Sequence, residues 1–122
     1  VQFARALCQL AAGQSAGRAQ ALFLDEPVAS LDLCHQLGLL DRARMVAAEG
    51  VAVLVVLHDL NLAVTYADEF VVMDRGLVVA RGVPAAVLSD ALLREVFRVD
   101  LAFGLRPRAG VPFLLPQQRM SA

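Results

Sequence analysis

Residues 21–27 read Ala21-Leu22-Phe23-Leu24-Asp25-Glu26-Pro27, and residues 51–59 read Val51-Ala52-Val53-Leu54-Val55-Val56-Leu57-His58-Asp59. Each is an unbroken apolar run that ends in polar residues. Continuous rather than alternating apolarity indicates strands buried on both faces, as in a parallel sheet. Between them, Asp32 stands where a helix N-cap belongs. Leu33, Leu37, Leu40, Arg44 and Ala47 recur at helical spacing over residues 33–49, and Gly50 ends the pattern. Strand, crossover helix, strand is a right-handed βαβ unit, so the fold class is α/β.

Outward from that unit, residues 1–10 read as a helix with Phe3, Leu7 and Leu10 on one face, and residues 13–17 as a loop. A short helix is expected over 61–66. Strands at 69–73 and 77–81, joined by Asp74-Arg75-Gly76, form an antiparallel hairpin. Short helices follow at 84–88, opened by Pro84, and at 90–98, capped by Ser89. Val111-Pro112-Phe113-Leu114-Leu115 reads as a last edge strand. A boundary between substructures is expected near Val83.

The chain has 122 residues, 58% of them hydrophobic and 19% charged, with a net charge of −1. That composition excludes intrinsic disorder and gives no broad electrostatic footprint for nucleic acid. All eleven basic residues are arginine. The missing lysine excludes Schiff-base chemistry and the phosphate-gripping lysine of a P-loop. Residues 51–57 are the longest apolar run, far short of the roughly 18 residues that span a bilayer. No charged segment precedes an apolar one at the amino end, so no secretory signal is expected. Cys8 and Cys34 make no disulfide framework and fit a reduced compartment. Cys34-His35 has the look of a ligand pair, but nothing nearby completes a metal site; a half-buried thiol beside a surface imidazole is the simpler reading.

Chemistry is expected where the two strands end, because ligands of parallel α/β sheets bind at the carboxyl ends of strands. Adjacent carboxylates repel, and a divalent cation gives Asp25 and Glu26 a reason to stand together. Asp25 at the strand tip can hold Mg²⁺, while Glu26 can orient an attacking water. His58 ends the neighbouring strand and can contact a terminal phosphate in the same crevice. The competing reading is plain punctuation, in which the acids cap the next element.

The ordered set of motifs resembles the second half of an ABC-type ATPase nucleotide-binding domain. Residues 21–27 resemble the Walker B strand with its following glutamate. Val28-Ala29-Ser30-Leu31-Asp32 resembles the D-loop, Val56-Leu57-His58-Asp59 the H-loop, and Val1-Gln2-Phe3-Ala4-Arg5-Ala6-Leu7 the helix after the signature motif. Residues 72–82 match the family's strand-turn-strand, and 84–88 the helix after it. The resemblance implies a partial P-loop NTPase fold: a parallel βαβ core, then a β-hairpin and small C-terminal helices, with residues 1–122 as the C-terminal portion of the domain. Walker A, Q-loop and signature are missing, and Val28 stands where the family often has threonine.

By the same resemblance, Asp25 would bind Mg²⁺, Glu26 would be the general base, and His58 would contact the γ-phosphate of ATP. Ser30 and Asp32 would lie at the interface of a homodimer of two ATP-binding subunits. Leu33-Cys34-His35-Gln36, the stretch 57–63 and the tail 112–117 look most like ATPases of haem importers, with importers of other iron chelates and of cobalamin as near relatives. The resemblance therefore implies the energy-coupling subunit of an importer, peripheral on the cytoplasmic face of the inner membrane. Its partners would be membrane permease subunits and, indirectly, a periplasmic binding protein. Without a P-loop, the chain alone is expected to be inactive. Two other readings stand beside this one: a truncated, non-catalytic remnant or interaction module, and an ABC-type ATPase acting on nucleic acid or ribosomes. Members of the last class join this half to coiled coils or basic linkers, and this chain has neither.

Overall fold

The computed structural model describes residues 2–14, 17 and 19–118. Val1, Ser15 and Ala16, and the side chains of Gln2 and Phe3, belong to the helix and loop expected at the amino end and lie outside the described part. The chain is a mixed α/β protein of two compact units, residues 1–66 and 67–122. The division falls after Tyr66 rather than near Val83.

The first unit runs α1 (Gln2–Gln14), β1 (Ala21–Asp25), α2 (Leu33–Ala48), β2 (Ala52–Val56) and α3 (Leu60–Tyr66). Helix α1 continues through Gly13, beyond its expected end. Strands β1 and β2 are parallel neighbours in register from Ala21↔Ala52 to Asp25↔Val56. The Glu26 amide donates to the Val56 carbonyl at 3.1 Å and carries the ladder one residue further. Leu22, Leu24, Ala43 and Val51 form the core, with Ala6, Leu10, Leu39, Val46, Val53 and Val55 packed against it. One face of the sheet is thus covered by α1 and α2.

The other face is not, and here the expectation of two-sided burial fails. Phe23 is 66% and Leu54 51% exposed. A continuous apolar run predicts two buried faces only when elements exist to cover both. This unit's helices pack on one.

Local chemistry fixes the element ends. Gly50 follows α2 with φ 91°, a left-handed conformation glycine takes without strain. Asp59 Oδ1 accepts from the amides of Asn61 and Leu62 at 2.8 and 3.1 Å, which caps α3. For Asp59, the capping reading is therefore what the structure shows. A brace that periodicity does not announce joins α3 to α2: Arg44 Nη1 donates to the Tyr66 carbonyl at 2.6 Å, and the Tyr66 hydroxyl donates to Asp41 at 2.8 Å.

The second unit holds β3 (Phe70–Asp74), β4 (Leu77–Gly82), α4 (Pro84–Val87), α5 (Asp90–Glu95) and a 3₁₀ turn, Pro116–Gln118. Strands β3 and β4 pair antiparallel through Asp74↔Leu77. Arg75 and Gly76, at φ 49° and 79°, make the two-residue turn whose twist suits a hairpin. Helix α5 is capped by Ser89, whose hydroxyl accepts from the Leu92 amide at 3.1 Å. It stops short of residue 98: Arg98 turns to φ 58°, and the Val99 amide reaches back to the Leu93 carbonyl at 3.2 Å. The expected edge strand at 111–115 is absent, and the segment is irregular. Pro112 and Pro116 lack the N–H a ladder needs.

Candidate functional site

The parallel register explains the site. With Asp25 opposite Val56, residues one step beyond β1 and two beyond β2 leave the sheet at the same rim. There Nε2 of His58 lies 2.5 Å from Oε1 of Glu26. A carboxylate only accepts, so the pair forms a hydrogen bond in the tautomer whose Nε2 carries the proton. Both side chains are exposed.

Backbone geometry aims Glu26. Its φ is 46°, left-handed and unusual for a non-glycine residue. That turn breaks the alternation of β1, so Glu26 does not simply continue the strand. Residue 25 keeps it: Asp25 is the exposed last residue of β1, on the same side as Ala21 and Phe23. The chain then makes two linked turns. The Ala29 amide donates to the Glu26 carbonyl at 3.2 Å, and the Leu31 amide to the Val28 carbonyl at 3.2 Å. Ser30, exposed, sits at φ 66°.

Asp32 is the N-cap of α2: Oδ1 accepts from the His35 amide at 2.9 Å and lies 2.7 Å from His35 Nδ1. Thus His35, half of the Cys34-His35 pair, is turned toward Asp32. The structure brings Glu26 and His58 into contact and sets Asp25 beside them at the strand end. It places Ser30 and Asp32 on the loop that follows, outside that contact. Among the described residues, no group of three or more His, Cys, Asp or Glu side chains is arranged to hold a metal ion. A cation at Asp25 would therefore need other oxygens.

Motif and periodicity do not reveal the left-handed turns at Glu26 and Ser30. They also pass over Gln36, whose side chain reaches back into this loop. Pro27 is the available sign that the chain turns sharply there.

The Asp32 cap makes a pH prediction. Hydrogen bonding from the His35 amide, then from its ring, holds the Asp32 carboxyl below its ordinary 3.8. A carboxyl with a lowered folded-state value contributes stability above its unfolded value, and that contribution is lost as acid titrates the folded group. Glu69, lowered by its hydrogen bond and charge interaction with Arg81, acts in the same direction. Thermal melts should therefore hold their midpoint from neutral pH to about 5 and fall below about 4. Asp32→Asn keeps a capping oxygen but cannot titrate, so its melting temperature should fall less steeply with acid. An unchanged acid slope in D32N would remove the carboxylate from the account.

The chain was compared with known proteins. No protein-family model matches the chain. It is 50% identical over 117 residues to the hemin import ATP-binding protein HmuV of Mesorhizobium japonicum, covering 96% of this chain and 44% of that protein. It is 51% identical over 120 residues to the protein of the same name from a Chelativorans species, covering 98% and 46%. Against that of Rhizobium meliloti it is 45% identical over 117 residues, covering 96% and 45%. The match falls on the C-terminal part of these relatives, and the chain spans less than half their length.

Proposed function

We propose that this chain is the C-terminal part of an ABC-type nucleotide-binding domain, from the ATP-hydrolysing subunit of an importer for haem or another iron chelate. The observation that carries the reading is the contact between Glu26 and His58 at the tips of adjacent parallel strands. The relatives' names point the same way.

In this reading Glu26 accepts a proton from the attacking water. His58 holds the Glu26 carboxylate in place and contacts the terminal phosphate. Asp25 would hold Mg²⁺. Its donor set suits that ion, because one exposed carboxylate at a strand tip leaves the remaining positions to phosphate oxygens and water. When bound, the ion neutralises charge on the phosphates. Ser30 and Asp32, on the exposed loop, would face the second ATP-binding subunit. The partial sheet would be a piece of a P-loop NTPase fold. No helix among the described residues is long and apolar enough to cross a membrane. Attachment to the cytoplasmic face would then come through permease subunits.

The test is uptake of labelled haem into vesicles holding the complete subunit and its permease. ATP-dependent accumulation supports the reading; ATP-independent or absent accumulation of haem, and of labelled iron chelates offered in its place, overturns it. The 122-residue chain by itself contains no lysine and no glycine-rich phosphate loop. It should bind labelled ATP no tighter than the millimolar range and release no phosphate. Micromolar binding would show a nucleotide grip that this assignment does not contain.

A further inference from the structure

Gln36 stands at the end of the first turn of α2, half-buried. Its carboxamide nitrogen lies 3.0 Å from the Leu31 carbonyl oxygen and 3.4 Å from that of Val28. One side chain therefore donates to both ends of the turn 28–31. The Val28 carbonyl already accepts from the Leu31 amide at 3.2 Å. Within that turn Ser30 holds φ 66°, a conformation that costs energy for a residue with a side chain and persists only when its surroundings enforce it. Through the Ala29 amide, the same turn is tied to the carbonyl of Glu26, itself at φ 46°. Two strained residues thus follow one another in a loop that its own backbone closes only at 3.2 Å. Gln36 is a side chain from outside the loop that grips its 28–31 turn.

We infer that Gln36 is a positioning residue: it holds the 28–31 turn in the shape that presents Ser30 and supports the backbone beneath Glu26. The inference rests on the proposed ATPase function. Without the two donated hydrogen bonds, Ser30 relaxes toward negative φ, its hydroxyl moves, and the anchor of Glu26 loosens. The side-chain hydrogen bonds of Gln36 go to the Val28 and Leu31 carbonyls rather than to Ser30 or Glu26. The effect therefore falls on the rate of the chemical step and leaves ATP affinity alone.

The experiment uses the complete subunit with its permease. Gln36→Glu and Gln36→Met keep the length of the side chain but remove its donors; Gln36→Lys keeps donors at similar reach. Loss of one net hydrogen bond corresponds to about five-fold. Gln36→Glu and Gln36→Met should lose about five-fold in kcat with KM for ATP unchanged, and Gln36→Lys should stay within about two-fold of wild type. A merely structural role would lower kcat only as far as the folded fraction falls, and would not separate Gln36→Lys from Gln36→Met. The inference is overturned if Glu and Met match wild type, if Lys loses as much as Met, or if the losses follow the folded fraction. Should the wild-type subunit hydrolyse no ATP, or should Glu26→Gln leave its rate unchanged, the ATPase reading falls and this inference with it. Should wild type be active, Glu26→Gln inactive, and Glu and Met at position 36 normal, this inference alone falls.

Discussion

Glu26→Gln in the complete subunit is expected to lower ATP turnover by about 10²–10⁴-fold, the usual contribution of a general base. The substitution is nearly isosteric. A carboxamide oxygen still accepts the proton that His58 Nε2 presents at 2.5 Å, so the contact between the two strand tips survives. The backbone at φ 46° is unaffected by chemistry at the end of the side chain. Asp25 keeps its carboxylate, so the proposed Mg²⁺ position is unaltered. What disappears is the basicity needed to take a proton from water. ATP binding, measured with labelled nucleotide, should stay within about three-fold of wild type while phosphate release collapses. If turnover drops by less than about ten-fold, Glu26 is not the base. If binding and turnover fall together, the residue serves the nucleotide's ground state instead.

The closeness of Glu26 and His58 is legible in the amino-acid sequence. Unbroken apolarity at Leu22–Leu24 and Val53–Val55 identifies two strands, and helical spacing between them requires a parallel pairing. Parallel strands of a crossover unit end on the same side, which is why the tips at Glu26 and His58 are expected to meet. How Glu26 is aimed is not legible. A left-handed glutamate leaves no compositional sign, since the conformation is imposed by the turns after it. Gln36 is hidden for a related reason: a donor eight residues from its acceptor belongs to the path of the loop, which periodicity does not report. The extent of burial is overestimated because hydrophobicity states what a residue would bury, not whether a partner is present. Phe23 and Leu54 are apolar on a face that no helix of this unit covers. The tail fails for a simpler cause. Phe113 to Leu115 are apolar, but Pro112 and Pro116 on either side lack an N–H to give a ladder, and the three residues lie exposed or half-buried.

The largest stability effect is expected at Leu40. It is 2% exposed and, with Leu62 at 1%, is one of the two most completely buried side chains described. Removing such a leucine leaves a cavity that a packed interior refills only partly, at a cost of about 2–5 kcal/mol. The first unit has little redundancy to absorb this: among its described residues the buried apolar ones are Leu22, Leu24, Leu40, Ala43, Val51 and Leu62. Whole domains are stable by only about 5–15 kcal/mol, so Leu40→Ala should shift the urea midpoint of the 122-residue chain strongly or leave it unfolded at 25 °C. Leu54 is the matching control. It is also a leucine, but it is 51% exposed on the uncovered face of the sheet. Leu54→Ala should change stability by no more than about 1 kcal/mol. The contrast between the two variants reports whether the sheet face that carries Leu54 is wet, with Leu40 as the fully buried reference. If Leu54→Ala costs as much as Leu40→Ala, something covers Phe23 and Leu54 in solution. Dependence of the midpoint on protein concentration would then identify that cover as a second copy of the chain.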